Sequence, residues 1–294
     1  MKPEFVDTPQ GRFGFVQAGE PDAPLVLCAH GFPDHAPSFE PLLRRLAEAG
    51  YRAVAPWMRG YAPSVAGGPY HADQLGADLV AIADALGGDE RTVLVGHDWG
   101  AVGTYAALQL APERFRRAVT MAVPHPATFL GQVPRRPRQL LRSWYMIFFQ
   151  LPAIPERAVA RGGYGLIRRL WRDWSPGYAL PDDQWEALRA CLEASMPAPL
   201  EYYRAITRPA AEALQRTRKQ FEDGTVHVPT LHLHGANDGC IAPELCRGQA
   251  QFFTTEHREV VVPGVGHFLQ VEAPDVVAEH ILEWIGPTPA SRRR

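Results

Sequence analysis

Residues 96 to 100 read Gly-His-Asp-Trp-Gly, and they constrain this chain more than any other short stretch. Thr92 to Val95, just before, is an apolar β-branched run that reads as a buried strand, and Ala101 to Leu110, just after, reads as a helix. A strand that enters a sharp glycine-flanked turn and leaves as a helix pushes one side chain out over the sheet. That position usually carries Ser in the pattern G-x-S-x-G. Here it carries Asp98, and the residue type changes the reaction class. A carboxylate attacking an ester would give an anhydride and gain little. At a saturated carbon it gives an alkyl ester, which water can hydrolyse at its carbonyl. Asp98 therefore points to an electrophilic sp³ carbon with a leaving group, as in an epoxide or an alkyl halide.

The surrounding pattern alternates strands with helices. Leu25 to Ala29 reads as a buried strand running into the loop His30-Gly31-Phe32-Pro33. A helix from about Phe39 to Ala49 is stopped by Gly50, and a strand follows over Arg52 to Ala55. Leu75, Leu79, Ile82 and Leu86 lie at helical spacing, and another strand spans Ala118 to Val123. From about Pro124 to Glu222 strand-like runs vanish and aromatic helical segments take over. The alternation resumes with strands at Pro229 to His234 and Arg258 to Val262 and a closing helix at Asp275 to Ile285. The expected fold class is α/β, a mainly parallel sheet flanked by helices with an inserted helical cap. The boundaries read as core 1–125, cap 126–223 and core 224–294.

Bulk properties narrow the partners. The 294 residues carry a net charge of -2, so no global field argues for nucleic acid or a membrane surface. Nearly all positive charge is Arg, which reads as the codon bias of a GC-rich genome; Arg135, Arg136, Arg138 and Arg142 read as a solvated cap surface. Cys28, Cys191, Cys240 and Cys246 have no CxxC spacing, and the chain's start has no apolar leader stretch, so the expected compartment is the cytoplasm. His232 and His234 alternate on one strand and share a face, but the sequence offers no third ligand, so they read as strand packing. No cofactor and no metal are expected. The Ser291 to Arg294 end reads as a frayed tail, and Gly162 to Gly165 as a flexible cap loop. Nothing in the sequence bears on oligomeric state.

A carboxylate nucleophile needs a base to activate water, and the base needs an orienting partner. His267 follows the last strand, after Pro263-Gly264-Val265-Gly266. Asp238 follows the neighbouring strand, after Gly235-Ala236-Asn237. Each sits at a strand end, where parallel-sheet sites form. Backbone N–H groups of Phe32 and Trp99 are placed to hold an oxyanion. The Phe32-Pro33 bond is a candidate for the cis form.

These motifs resemble those of the epoxide hydrolases of the α/β-hydrolase superfamily, over essentially the whole chain. The resemblance rests on His30 to Pro33, on Gly96 to Gly100, and on the chain order nucleophile, acid, histidine. It implies two cap tyrosines that hold the epoxide oxygen. Trp144 to Gln150 matches the first such segment and nominates Tyr145; Pro199 to Arg204 matches the second and nominates Tyr203 over Tyr202. Arg59-Gly60-Tyr61 also matches, while Trp57 stands where many relatives have Asp. The implied substrate is a small-molecule epoxide, opened to a vicinal diol, with Trp144, Phe148 and Phe149 as candidate pocket walls. A haloalkane or haloacid dehalogenase would use the same Asp98, Asp238 and His267, with the Trp99 indole on the halide; the two tyrosines weigh against it. A ligand-binding receptor of hydrolase ancestry is the non-enzymatic alternative.

Overall fold

The computed structural model describes residues 1–287; the Ser291 to Arg294 tail lies outside the described residues. The chain opens with a hairpin, β1 (Glu4–Thr8) and β2 (Gly11–Ala18), followed by β3 (Leu25–Ala29), α1 (Glu40–Glu48), β4 (Arg52–Pro56) and α2 (Ala72–Ala85). The elbow joins β5 (Val93–His97) to α3 (Trp99–Leu110), and β6 (Arg117–Met121) follows. Seven helices intervene: α4 (Pro126–Gln132), α5 (Pro137–Arg142), α6 (Trp144–Phe148), α7 (Ile154–Trp174), α8 (Asp182–Ser195), α9 (Ala198–Ala205) and α10 (Ala210–Glu222). The sheet then resumes with β7 (Thr230–Gly235) and β8 (His257–Val262), and the described chain closes on α11 (Leu269–Glu272) and α12 (Pro274–Ile285).

The eight strands form one sheet in the order β1-β2-β4-β3-β5-β6-β7-β8. The β1 and β2 pairings are antiparallel and all the others parallel. The central strands β3, β5 and β7 are buried along their whole length, as parallel strands covered on both faces must be. Their register levels the strand ends: Ala29 sits opposite Gly96, and Gly235 opposite Val262. The loops after β3, β5, β7 and β8 therefore emerge together on one edge.

Close approach at that edge depends on Gly100. A Cβ there would stand 2.1 Å from the Ala29 carbonyl oxygen, so any side chain would drive α3 away from β3. The inserted helices lie over the same edge and are bonded to it. The Trp171 indole donates to the Pro33 carbonyl at 2.8 Å, and the Tyr202 hydroxyl to the Arg59 carbonyl. The span of α7 is broken at Arg161 to Tyr164, where Gly162, Gly163 and Tyr164 take φ of 61°, 63° and 66°. The glycine-rich stretch thus joins two helical arms within one span.

Candidate active site

Asp98 occupies the turn between β5 and α3 with φ 52° and ψ -118°, a conformation that non-glycine residues rarely hold. Its amide donates to the Met121 carbonyl at 3.2 Å, so β6 helps hold the turn. The side chain is buried and accepts the Phe32 amide on Oδ1 at 2.7 Å. Gly31 makes this contact possible: a Cβ there would lie 2.2 Å from Asp98 Oδ1 and 2.5 Å from the Trp99 nitrogen. The Phe32 amide thus binds one carboxylate oxygen, and the Trp99 nitrogen lies against the same Gly31 position. The Phe32-Pro33 peptide is cis.

On the other side, His267 Nε2 stands 3.7 Å from Asp98 Oδ2, while Nδ1 is 2.9 Å from Asp238 Oδ2. A carboxylate oxygen only accepts, so Nδ1 carries a proton and Nε2 faces Asp98. The second Asp238 oxygen accepts the Cys240 and Ile241 amides at 2.7 and 2.9 Å, which fixes the carboxylate's rotation. Burial alone would raise the Asp238 pKa, but the His267 charge and hydrogen bond, with His234 and the Ile241 amide, hold it below the usual range. Burial likewise opposes the charged form of His267. The carboxylates of Asp238 and Asp98 overcome this and raise it to about 10. The resting site is therefore an imidazolium between two carboxylates.

Tyr145 on α6 and Tyr203 on α9 face Asp98 across one apolar cavity of about 190 Å³. Their rings meet edge to face at 5.5 Å. Burial, then the nearby acidic groups, pushes both phenols well above their ordinary pKa, so they stay protonated donors. Tyr145 Oη lies 3.2 Å from Cys240 Sγ, whereas the buried Tyr203 hydroxyl, beside the Trp99 indole and the Tyr145 hydroxyl, makes no hydrogen bond of normal geometry among the described residues. Tyr202 also borders the cavity, but its hydroxyl is spent on Arg59. Arg204 clamps the two tyrosine-bearing helices together. It donates to the Phe149 and Leu151 carbonyls just past α6, at 3.1 and 2.9 Å, and pairs with Glu156 at 2.7 Å.

The expected pocket walls Trp144, Phe148 and Phe149 do not line this cavity, and the expectation is corrected. Tyr145 and Phe149 are four residues apart and share the inward face of their turn, while Trp144 and Phe148 fall on the next face. Trp144 is 40% exposed and packs on Phe148. Phe149 is inward but sits behind Tyr203, ring centroids 5.2 Å apart, wedged against Phe32. The walls come instead from Met146, Phe129, Leu130, Val102, Val123 and Ile241.

Several supporting groups escaped the sequence reading. The Trp174 carbonyl, at the end of α7, accepts the amides of both Gly239 and His267, so one residue of the inserted helices ties the two loops that carry Asp238 and His267. Ser175 Oγ accepts the His267 and Phe268 amides at 3.1 and 3.2 Å. His97, inside the elbow motif itself, contacts the His267 carbonyl through Nε2 at 2.9 Å. Burial, reinforced by His267, lowers the His97 pKa to about 4, so Nε2–H donates from a neutral ring. His97 was readable as the variable position of the motif, but its partner was not.

The family described as alpha/beta hydrolase fold matches residues 24–274. Epoxide hydrolase A of Mycobacterium tuberculosis is 33% identical, over 95% of this chain and 96% of its own. Epoxide hydrolase 4 of Mus musculus is 31% identical, over 90% of this chain and 74% of its own. Among solved structures, epoxide hydrolase A from Mycobacterium thermoresistibile superposes with a TM-score of 0.80 at 25% identity, covering 99% of each chain. By fold, elbow and relatives, this chain belongs to the α/β-hydrolase fold family and, within it, to the epoxide hydrolases.

Proposed function

We propose that this chain converts a small-molecule epoxide and water to a vicinal diol, with Asp98, His267, Asp238, Tyr145 and Tyr203 as its catalytic residues. The observation that carries the reading is a pair of buried phenols, Tyr145 and Tyr203, on the same cavity as Asp98, with the Tyr203 hydroxyl short of a well-formed hydrogen bond. An unpaired buried hydroxyl costs about 1–3 kcal/mol, and an epoxide oxygen bound there would recover it.

Asp98 Oδ2 attacks a ring carbon as the carbon–oxygen bond opens. Tyr203 or Tyr145 gives its proton to the departing oxygen, leaving a phenolate. Asp98 Oδ1, on the Phe32 amide, becomes the ester carbonyl oxygen. Once the ester forms, Asp98 has lost its charge, and the His267 proton passes to the phenolate. Neutral His267 then takes a proton from water, whose oxygen attacks the ester carbonyl while the Phe32 and Trp99 amides hold the oxyanion. Collapse releases the diol. One water proton remains on His267 and the other leaves on the new hydroxyl, which restores the resting state.

We assign residues 126–223 as the cap that supplies the phenols and residues 1–125 and 224–294 as the core that supplies nucleophile and base. None of the described helices is long and apolar enough to cross a membrane. The four unpaired cysteines suit a reducing compartment, and we place the enzyme in the cytoplasm.

The test is product analysis of purified protein on styrene oxide beside a short 1-bromoalkane. Diol without halide release is expected; halide release without diol would move the chain to the dehalogenases. A second test addresses the oxyanion donors. Gly31→Ala forces the loop off Asp98 Oδ1, and turnover should fall by about 10²-fold or more, as for loss of one oxyanion donor. A Gly31→Ala variant with full activity and a native circular-dichroism spectrum would remove Phe32 from the mechanism.

A further inference from the structure

Beyond the active site, three buried side chains converge on one point. His232 and His234 share a face of β7, and Cys246 ends the short turn Pro243–Cys246 that folds back beside them. His232 Nε2 and His234 Nδ1 are 3.3 Å apart, and Cys246 Sγ lies 3.3 Å from the first and 3.4 Å from the second. Relative exposures are 1%, 1% and 6%, so no solvent fills the role of a partner.

The protons are constrained by chemistry. His234 Nε2 is 2.9 Å from the Ile241 carbonyl, which can only accept, so Nε2 carries the proton and Nδ1 turns a lone pair inward. His232 Nδ1 pairs with Thr120 Oγ1 at 3.0 Å, which orients Nε2 toward the same point. Metal bonds of about 2.0 Å to nitrogen and about 2.3 Å to sulfur put two nitrogens roughly 3.3–3.5 Å apart, and a nitrogen and a sulfur roughly 3.5–3.7 Å apart, at tetrahedral to trigonal angles. The two nitrogens, 3.3 Å apart, already meet that spacing, and the nitrogen–sulfur separations of 3.3 and 3.4 Å meet it after a small outward shift of Cys246 Sγ.

We propose that His232 Nε2, His234 Nδ1 and Cys246 Sγ form a buried three-ligand site for a thiophilic d10 metal ion, Cu(I) in preference to Zn(II). One thiolate and two neutral imidazoles leave Cu(I) uncharged overall, whereas Zn(II) would leave a net positive charge in a buried place, which is costly. Binding releases the Cys246 thiol proton to solvent and involves no change of oxidation state. The site also reaches the active site: His234 Nε2 is 3.4 Å from Asp238 Oδ2. A metal on Nδ1 makes Nε2–H a stronger donor, which weakens Asp238 as a partner of His267.

The deciding experiment titrates reduced, metal-free protein anaerobically with Cu(I) against a colorimetric chelator, and separately with Zn(II). The expected result is one equivalent of Cu(I), with X-ray absorption showing one sulfur and two imidazole nitrogens. Cys246→Ala and the near-isosteric Cys246→Ser should each lose at least about 10²-fold in affinity, more than typical losses from groups behind the ligands. Cys191→Ala should bind like wild type. A circular-dichroism spectrum and thermal midpoint of metal-free Cys246→Ser matching those of the metal-free wild type check that the variant is folded. No stoichiometric uptake, or binding that survives both Cys246 variants, overturns the site. Zn(II) uptake without Cu(I) uptake overturns the charge argument.

Discussion

His267→Gln should stop the reaction at the covalent ester: intact-protein mass spectrometry should find the variant heavier by one epoxide, attached at Asp98. The nucleophile, its Phe32 contact and the two phenols are untouched by the substitution, so ring opening proceeds. The water-activating nitrogen is gone, and general-base catalysis is worth about 10²–10⁴-fold, so ester hydrolysis should slow by about that factor. A variant that consumes epoxide and never gains its mass would exclude the ester. The charge of His267 gives the same step a pH signature. In the free enzyme two carboxylates hold the imidazolium to about pH 10. Its ion-pair stabilisation is fully present only below the histidine's ordinary pKa of about 6.5 and is lost progressively as pH rises from there through about 10. Alkylation removes one of those carboxylate charges, so the His267 pKa falls and the neutral base appears when water must be activated. Asp98→Asn removes the same charge, and NMR titration of the His267 ring should give a lower pKa in that variant than in wild type. An unchanged value would mean that Asp98 does not set the protonation of the base.

The double variant Tyr145→Phe with Tyr203→Phe should lose about 10⁴-fold in ring opening, the upper part of the range for general-acid catalysis. An alkoxide is far too basic to leave into an apolar cavity without a proton, and among the described residues that line it no other hydroxyl is free, since Thr217 Oγ1 donates to the Ala213 carbonyl. Tyr202, the nearest alternative, is bound to the Arg59 carbonyl. Either single variant should lose less, because the remaining phenol still donates. Tyr203→Phe should be the more harmful of the two, since Tyr145 must first leave Cys240 Sγ. Single-turnover rates of ester formation measure this directly. Full activity in the double variant would make both tyrosines packing residues.

The elbow, the parallel strands and the order of nucleophile, acid and histidine were legible because each is written in a few consecutive residues: an apolar β-branched run, then glycine, then a reactive side chain. The N-terminal hairpin was not read. β1 is a mostly exposed edge strand with little apolar alternation, and only the turn before Gly11 (φ 128°) marks it. The long α7 was hidden by Gly162 and Gly163, which read as a loop and instead join two helical arms. Trp144, Phe148 and Phe149 were chosen by residue type, and helical phase turned two of them away from the cavity.

The sequence by itself determined the reaction class, because a carboxylate in place of serine at the elbow suits attack on saturated carbon. It also nominated three strand ends, at Asp98, Asp238 and His267, whose side chains meet at the candidate site. Only the tertiary structure decided which hydroxyl is free, where the cavity walls lie, that His267 rests as a cation, and that Cys246 meets two histidines. Those facts depend on distances and burial between segments remote in the chain. Propensity and periodicity describe a residue's near neighbours, whereas charge, desolvation and hydrogen-bond satisfaction are set by whatever lies within a few ångströms in space.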